Sequence, residues 1–178
     1  MKSVLRKIHI SKVVSTILML IFCISLGSVT NGFESDASGP GYQRIEQTEN
    51  DTVVELTEKV SELYPICPEL LQAIIFYESC NRMDVSNGSC IGYMQVSTRW
   101  HSDRAARLGV SIYDGYGNIL TGTDYLMELI LEYDDVATAL MVYHGESNAV
   151  SKGENGQLSS YATKILDLSA KLERRHGK

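Results

Sequence analysis

The sequence predicts a mostly α-helical domain that follows an apolar segment near the N-terminus. From residue 51 onward, apolar residues recur three and four positions apart, which is typical of helices that bury one face. Sustained alternation of apolar and polar residues, the pattern of a half-buried strand, is absent. The hydrophobic share of 44% over 178 residues is normal for a globular protein, and this length suits one domain of ordinary size with an appendage.

The N-terminal segment, residues 1–32, has bases but no acid, and residues 13–29 form a predominantly apolar run. A basic start followed by such a run is the layout of a secretory signal, and the run also reaches the lower length limit for spanning a bilayer. We therefore expect residues 1–32 to be either a cleaved signal peptide or a retained membrane anchor. In both cases the basic flank places the rest of the chain outside the cytoplasm, secreted or anchored at the cell envelope.

The remainder of the chain divides into a linker and a domain. Residues 33–50 lack apolar periodicity and contain a Gly-Pro-Gly turn, which indicates a linker. Residues 51–178 are predicted to form the domain, and Thr52 with Glu55 can form a capping box at its first helix. Further helices are predicted over residues 68–79, 103–108, 118–133, 134–143 and 158–174, with a turn-rich stretch at 81–92 and a loop at 147–157.

The charge of the chain excludes several classes of function. The formal net charge is −6, and residues 33–178, with 12 bases against 22 acids, carry −10. Such acidity argues against nucleic acid as a partner, because no basic surplus exists to neutralise phosphates. The four histidines are scattered and do not stand near a cysteine pair, so the sequence predicts no metal site and no cofactor.

Glu78 is the most informative residue. On a helix it continues the apolar stripe of Leu71, Ile74 and Ile75, so its carboxyl group points where a leucine is expected. It also stands in the last helical turn, where the helix dipole disfavours negative charge. Both effects favour the neutral acid and raise its pKa, as a general acid requires. On position alone, a solvated glutamate at a frayed helix end is an equal alternative.

The residues around Glu78 resemble a known family. Glu78-Ser79, the turn at 86–89 and Gly-Tyr-Met-Gln at 92–95 are similar to the signature of lytic transglycosylase domains related to goose-type lysozyme. Asn-Ile at 118–119 followed by Gly122 and Tyr-Leu at 125–126, the helix ending at Tyr143, and Tyr161 with Ile-Leu at 165–166 continue the likeness in order. The resemblance spans roughly residues 54–166 and implies a lysozyme-like helical domain with a short β-like turn region beside the active-site helix.

This resemblance implies a role for each matching residue. Glu78 would protonate the glycosidic oxygen between N-acetylmuramic acid and N-acetylglucosamine and then act as base. Tyr143 would hold the Glu78 side chain or the substrate acetamido group, and Tyr161 would close the cleft. The other implied substrate-binding residues line the cleft or offer hydrogen bonds to the substrate or to the Glu78 loop: Ser86, Gly92, Met94, Gln95 and Asn118.

The sequence offers Glu78 as a candidate general acid but no obvious second carboxyl group to act as the nucleophile. Retaining glycosidases with an enzymic nucleophile use two carboxyl groups roughly 5–5.5 Å apart. Asp84 and Asp103 lie in predicted turns without a matching motif. The resemblance therefore implies a one-acid reaction in which the substrate supplies its own nucleophiles and leaves a 1,6-anhydro sugar.

One departure from the family pattern follows Tyr143. The family usually has Asn-Ala-Gly, whereas this chain has His144, Gly145 and Glu146. His144 can replace the asparagine as a hydrogen-bond donor, with a charge that varies with pH. Glu146 is either a second acid or a surface charge, and a diverged loop is the simplest interpretation.

The cysteines suggest one disulfide if the domain is exported. Cys67 and Cys80 stand at opposite ends of one predicted helix, roughly 20 Å apart, which is too far for a bridge. A Cys80–Cys90 bridge is feasible and would hold the loop between Glu78 and Gly92. Pairing of Cys67 with Cys90, or three free thiols, are the alternatives.

Peptidoglycan glycan strands are the partner that the resemblance implies, with the membrane added if the N-terminal segment is retained. Two other functions remain open: a lysozyme-like hydrolase that uses water on the same fold, and a non-catalytic wall-binding module of a secretion or conjugation apparatus. The acidity of the domain means that it must bind an anionic wall through its cleft or a partner rather than by general electrostatic attraction.

Overall fold

The computed structural model describes residues 51–178, and the predicted export segment and linker lie outside these residues. The described part contains seven helices and one small sheet, which confirms the mostly α-helical fold. The helices are α1 (Asp51–Ser61), α2 (Pro68–Ser79), α3 (Thr98–Leu108), α4 (Gly115–Tyr133), α5 (Val136–Tyr143), α6 (Ala149–Glu154) and α7 (Ser160–Arg175). The strands are β1 (Ser86–Asn87), β2 (Cys90–Ile91) and β3 (Val96–Ser97).

Helix α2 has the predicted bounds. Pro68 occupies its first turn, where a missing N–H costs nothing, and Cys80 ends it in the left-handed conformation with φ 52°. The N–H of Cys80 donates to the carbonyl of Phe76 and closes the last turn. Leu71, Ile74 and Ile75 are fully buried, so α2 lies at the centre of the core.

Three later helices begin where a side chain caps their first turn. Asp114 accepts from the N–H of Gly117 ahead of α4, and Asp135 accepts from the N–H of Thr138 ahead of α5. Ser159 accepts from the N–H of Ala162 ahead of α7. Each cap supplies a partner to an N–H that the helix itself cannot satisfy. Helices α4, α5 and α7 therefore start within three residues of their predicted positions.

Three details of the prediction were wrong. Helix α3 begins at Thr98, five residues before the expected start, so Asp103 lies in a helix and not in a turn. The stretch predicted as a loop at 147–157 contains the short helix α6. Thr52 lies inside α1, since this helix already includes Asp51, and it cannot cap the helix there.

The three strands form a small antiparallel sheet between α2 and α3. Ser86 pairs with Ile91 and Asn87 with Cys90, around a two-residue turn in which Gly88 has φ 63°. Strand β2 then pairs with β3, with Ile91 opposite Val96. This sheet is the β-like region that was expected beside the active-site helix.

The start of α2 is fixed by a buried charge cluster. Glu69 is fully buried, and its Oε1 lies 2.7 Å from Nζ of Lys178 and 2.9 Å from Nδ1 of His176. Burial alone would raise the pKa of Glu69, but the hydrogen bonds with Lys178 and His176 hold this pKa below its usual value. The residues that follow α7 are thereby attached to the first turn of α2.

Within residues 51–178, no helix is long and apolar enough to cross a bilayer. The same residues contain no group of three or more His, Cys, Asp or Glu side chains arranged to hold a metal ion.

Candidate active site

Glu78 stands in the last turn of α2, next to the sheet. Its neighbour Ser79 is buried and donates a hydrogen bond of 2.9 Å to the carbonyl of Tyr93, in the turn between β2 and β3. This bond fixes the end of α2 against the β-region. The Glu-Ser pair thus joins the candidate acid to the loop that carries the Gly-Tyr-Met-Gln motif.

The Glu78 carboxyl group is held by Tyr161. The phenol, in the first turn of α7, donates a hydrogen bond of 2.5 Å to Oε1 of Glu78. Burial, followed by the nearby Glu78 charge, raises the pKa of the Tyr161 phenol well above its usual range, so the phenol remains a donor at neutral pH. This contact fixes the orientation of the carboxyl group.

The pKa of Glu78 is raised, as its position at the end of an apolar stripe predicts. Burial is the largest cause, because it penalises the carboxylate more than the neutral acid. The hydrogen bond from Tyr161 and the charge of His144 both act in the opposite direction and lower the pKa. Desolvation outweighs them, and the carboxyl group retains its proton to higher pH than an exposed glutamate.

Tyr143 does not hold Glu78 in the structure. Its hydroxyl donates to the carbonyl of Met94 at 2.9 Å, and burial, followed by the charge of Glu78, raises the pKa of its phenol. Tyr143 therefore ties α5 to the turn after β2, while Tyr161 takes the contact with the carboxyl group. A substrate contact by Tyr143 and the closing of the cleft by Tyr161 stay predictions.

Asn118 and Gly92 form the joint between α4 and the β-region. Oδ1 of the fully buried Asn118 accepts from the N–H of Met94 at 3.0 Å, and its Nδ2 donates to the carbonyls of Ile91 and Ile112 at 3.0 and 3.1 Å. Gly92 has φ 77°, and a β-carbon there would lie 2.5 Å from Nδ2 of Asn118. Of the two roles expected for Asn118, this geometry supports positioning of the loop.

Met94 and Gln95 have different environments. The Met94 side chain is fully buried and lies against Gly122 of α4, so it contributes to the core and not to the cleft lining that was expected. Gln95 has φ 47°, and its Nε2 donates to the carbonyls of Val85 and Gly92 at 3.1 and 2.9 Å. The Gln95 amide therefore holds together the two ends of the β1–β2 hairpin.

Ser86 lies on β1 with an exposed side chain, at the end of the hairpin that Gln95 holds. It is open to solvent on this edge of the sheet. Its expected hydrogen bond to a substrate stays a prediction.

Aromatic rings continue from the site toward α3. The rings of Tyr143 and Tyr125 lie 5.5 Å apart, and that of His101 lies 4.3 Å from Tyr125. Contacts of this kind between rings stabilise their relative placement. The row connects α5, α4 and α3 beside the candidate acid.

The contact between His144 and Tyr161 was not predicted from the sequence. The two rings stack with centroids 3.9 Å apart and an angle of 9° between their planes. Nδ1 of His144 lies 3.7 Å from Oε1 of Glu146, whose Oε2 accepts from Nζ of Lys152 at 2.9 Å. The only signal for this arrangement was the departure from the family pattern at 144–146.

The other carboxyl groups considered from the sequence differ from Glu78. Asp84 is exposed and lies 3.5 Å from Arg82, and Asp103 is exposed on α3. Although burial acts to raise it, the pKa of Glu146 is lowered by hydrogen bonds with Ser159 and Lys152 and by the charges of Lys152 and His144. Glu146 is therefore a stable anion near Tyr161, which does not suit a group that must donate a proton.

The predicted Cys80–Cys90 bridge is not formed in the structure. Both residues are thiols, with Cys80 exposed at the end of α2 and Cys90 half-buried on β2. The loop between Glu78 and Gly92 is held instead by the Ser79 and Gln95 hydrogen bonds.

Comparison with known proteins yields two findings. The family described as "Transglycosylase SLT domain" matches residues 55–165, which is more than half of the chain. The chain is also similar to a protein named "Transglycosylase" of Enterobacteria phage PRD1, with 32% identity over 108 residues. This similarity covers 60% of the chain and 38% of the phage protein, so the chain spans less than half the length of this relative.

Proposed function

Since the chain belongs to the transglycosylase SLT domain family, we propose that it is a peptidoglycan lytic transglycosylase with Glu78 as its single general acid and base. The observation that carries this proposal is the state of Glu78. Its carboxyl group is half-buried, has a raised pKa and accepts a hydrogen bond from Tyr161. A carboxyl group that keeps its proton to higher pH than an exposed glutamate, in a fixed orientation, is suited to general acid catalysis.

In the first step, the protonated Glu78 donates its proton to the glycosidic oxygen between N-acetylmuramic acid and N-acetylglucosamine. The bond from this oxygen to C1 of the muramic sugar breaks, and the acetamido oxygen of the same sugar forms a bond to C1. In the second step, the C6 hydroxyl oxygen attacks C1 and displaces the acetamido oxygen, while its proton passes to the Glu78 carboxylate. The product is a 1,6-anhydro sugar, Glu78 is protonated again, and no water is consumed.

The surroundings of Glu78 support a reaction with one enzymic carboxyl group. A retaining glycosidase with an enzymic nucleophile needs a second carboxylate roughly 5–5.5 Å from the acid. Asp84 and Asp103 are exposed, and Glu146 is engaged by Lys152 and Ser159. The substrate nucleophiles take the place of that second group.

The test is a digestion of purified peptidoglycan sacculi by the wild type, Glu78→Gln and Asp103→Asn, followed by mass spectrometry of the released muropeptides. We expect anhydro products, one water lighter than hydrolysis products, from the wild type. Glu78→Gln should release none, with unchanged circular dichroism and unchanged co-sedimentation with sacculi. Asp103→Asn makes the same chemical change on exposed α3 and should match the wild type.

Each alternative function has its own result. Muropeptides with reducing ends would show a hydrolase and would contradict the transglycosylase proposal. Binding to sacculi without any product from the wild type would indicate a non-catalytic wall-binding module. If Glu78→Gln releases products at the wild-type rate, Glu78 is not the acid.

The proposal includes an extracytoplasmic location, supported by the basic start and apolar run of residues 1–32. Cell fractionation followed by N-terminal sequencing of the mature protein separates a cleaved signal from a retained anchor.

The proposal also includes a role beside a secretion or conjugation apparatus, where a small enzyme would open the wall at the site of assembly. In-cell crosslinking at the positions of the exposed Trp100 and Tyr113 side chains would test this association. Recovery of the enzyme without crosslinked components of a secretion or conjugation apparatus would exclude it.

A further inference from the structure

His144 covers one face of the Tyr161 ring. It ends α5 and stacks on Tyr161 with a centroid separation of 3.9 Å and nearly parallel planes. The other end of Tyr161 donates to Oε1 of Glu78. Because a phenol can swing only as far as its packing allows, the position of the His144 ring limits how the Tyr161 hydroxyl meets the carboxyl group.

The imidazole is in contact with solvent and with charged groups. Its side chain is 46% exposed, so protons exchange freely with water. The titratable groups that face it are Glu78 on α2, Tyr161 on α7, and Glu146 with Lys152 at α6. Glu146 is a stable anion 3.7 Å from Nδ1, and Lys152 fixes that carboxylate in place. The imidazole therefore lies between solvent and a fixed pair of opposite charges.

We propose that His144 is a positioning residue that fixes Tyr161 against Glu78. Through this contact and its charge, proton donation by Glu78 depends on the protonation of the imidazole. The inference rests on the proposed function of Glu78 and extends it to the regulation of the same site. It assigns to the chain a pH response that an uncharged asparagine at this position would not provide.

The direction of the response follows from the charges. An imidazolium next to Glu78 favours the carboxylate and lowers the pKa of Glu78, opposing the effect of burial. When His144 loses its proton, this opposition ends and Glu78 holds its own proton more tightly. The acid therefore stays protonated over a wider range of pH than it would beside a fixed positive charge.

Three substitutions of His144 separate the effect of its ring stacking on Tyr161 from the effect of its charge on Glu78. His144→Phe keeps a flat ring on Tyr161 and removes the charge, while His144→Ala removes both. His144→Asn restores the amide that is usual in the family and also removes the ring. Lys171→Met is the matched control, since it removes an exposed positive charge on α7 that lies about 15 Å along the helix from Tyr161.

The first measurement does not depend on catalysis. A ¹³C NMR titration of the side-chain carboxyl carbons, with the Glu78 signal assigned by its loss in Glu78→Gln, gives the midpoint of Glu78 directly. We expect this midpoint at higher pH in His144→Phe than in the wild type, and at the wild-type value in Lys171→Met. Equal midpoints in the wild type and His144→Phe would overturn the proposed coupling, whether or not the protein cleaves peptidoglycan.

The second measurement is the rate of cleavage of soluble glycan strands as a function of pH. Loss of the ring should lower kcat of His144→Ala by about tenfold, because the acid is no longer held in its reactive orientation, and should leave KM nearly unchanged. His144→Phe should retain more activity than His144→Ala and His144→Asn, with its basic limb displaced to higher pH. A wild-type rate and profile in His144→Ala would overturn the positioning role.

Discussion

The Tyr161 hydroxyl donates a hydrogen bond of 2.5 Å to Oε1 of Glu78, across 83 positions of the sequence. The bond connects the first turn of α7 to the last turn of α2. It brings a neutral donor to a half-buried carboxyl group whose other major influence, burial, acts in the opposite direction on its pKa. The protonation of the candidate acid is thus set by the packing of two helices distant in sequence.

Tyr161→Phe tests this bond. Because the hydrogen bond lowers the pKa of Glu78, its loss should move the Glu78 midpoint, followed by ¹³C NMR, to higher pH. The carboxyl group also loses its fixed orientation, so kcat should fall by about tenfold or more. Tyr113→Phe, at a side chain that is 72% exposed, should change neither quantity. An unchanged midpoint in Tyr161→Phe would show that the bond does not control the acid.

Asn118→Asp should destabilise the joint between α4 and the β-region. The aspartate can still accept from the Met94 N–H, but it cannot donate to the carbonyls of Ile91 and Ile112. The buried carbonyl of Ile112 and the half-buried carbonyl of Ile91 lose this donor, and a carboxylate is buried in its place. Together these changes should lower the free energy of unfolding by about 2–5 kcal/mol in urea denaturation. Asn87→Asp on exposed β1 should stay within about 0.5 kcal/mol of the wild type, and a similar small effect at Asn118 would contradict this account.

Gly92→Ala combines two penalties. The residue has φ 77°, and a β-carbon would lie 2.6 Å from Cγ of Asn118 and 2.7 Å from Cε of Met83. The left-handed conformation costs about 1–2 kcal/mol and overpacking about 1–3 kcal/mol, so a total loss of about 2–5 kcal/mol is expected. Gly109→Ala, with φ 70° and open space, isolates the backbone cost alone. Equal losses of stability in the two variants would exclude the clash with Asn118.

Glu69→Gln should change how stability depends on pH. The pKa of Glu69 in the folded protein is below its usual value of 4.5, so its charge contributes stability that is complete above about pH 4.5 and is lost as pH falls through the folded value. At pH 6 the variant should unfold about 1–3 kcal/mol more easily, since Lys178 and His176 lose the carboxylate that they contact. This difference should shrink on acidification.

The matched change Glu58→Gln, on the exposed face of α1, gives the background pH dependence of stability. If Glu69→Gln and the wild type lose stability in parallel between pH 6 and pH 3, the buried carboxylate does not contribute in the way described.

Local signals sufficed for much of the fold. Proline at the start of α2 and the apolar spacing of Leu71, Ile74 and Ile75 gave its bounds and the unusual placement of Glu78. Helix α6 was missed because six residues with few apolar side chains form less than two turns and show no periodicity. The early start of α3 was missed because its first turn, with Arg99 and the exposed Trp100, has no apolar face to detect.

The site was predicted in its parts but not in its contacts. Tyr143 and Tyr161 both stand on the buried faces of their helices, and periodicity does not tell which phenol reaches Glu78. That choice depends on how α7 packs on α2, which is a property of the tertiary structure. Met94 was placed in the cleft by resemblance, whereas its side chain fills the space that Gly122 leaves on α4. Ser79 and Gln95 belong to the motifs that carry the resemblance, but the hydrogen bonds by which they hold the loop were not predicted.

The Glu69 cluster has a practical consequence for work on this protein. Helices α2 and α7 are joined at both ends, by Glu69 to His176 and Lys178 at one end and by Glu78 to Tyr161 at the other. A purification tag or fusion partner close to Lys178 could pull on the contacts of Glu69 with His176 and Lys178. It would thereby act on the same pair of helices that orients the acid. A spacer there, or a label on an exposed loop such as the one at Gly109, would leave assays of Glu78 undisturbed.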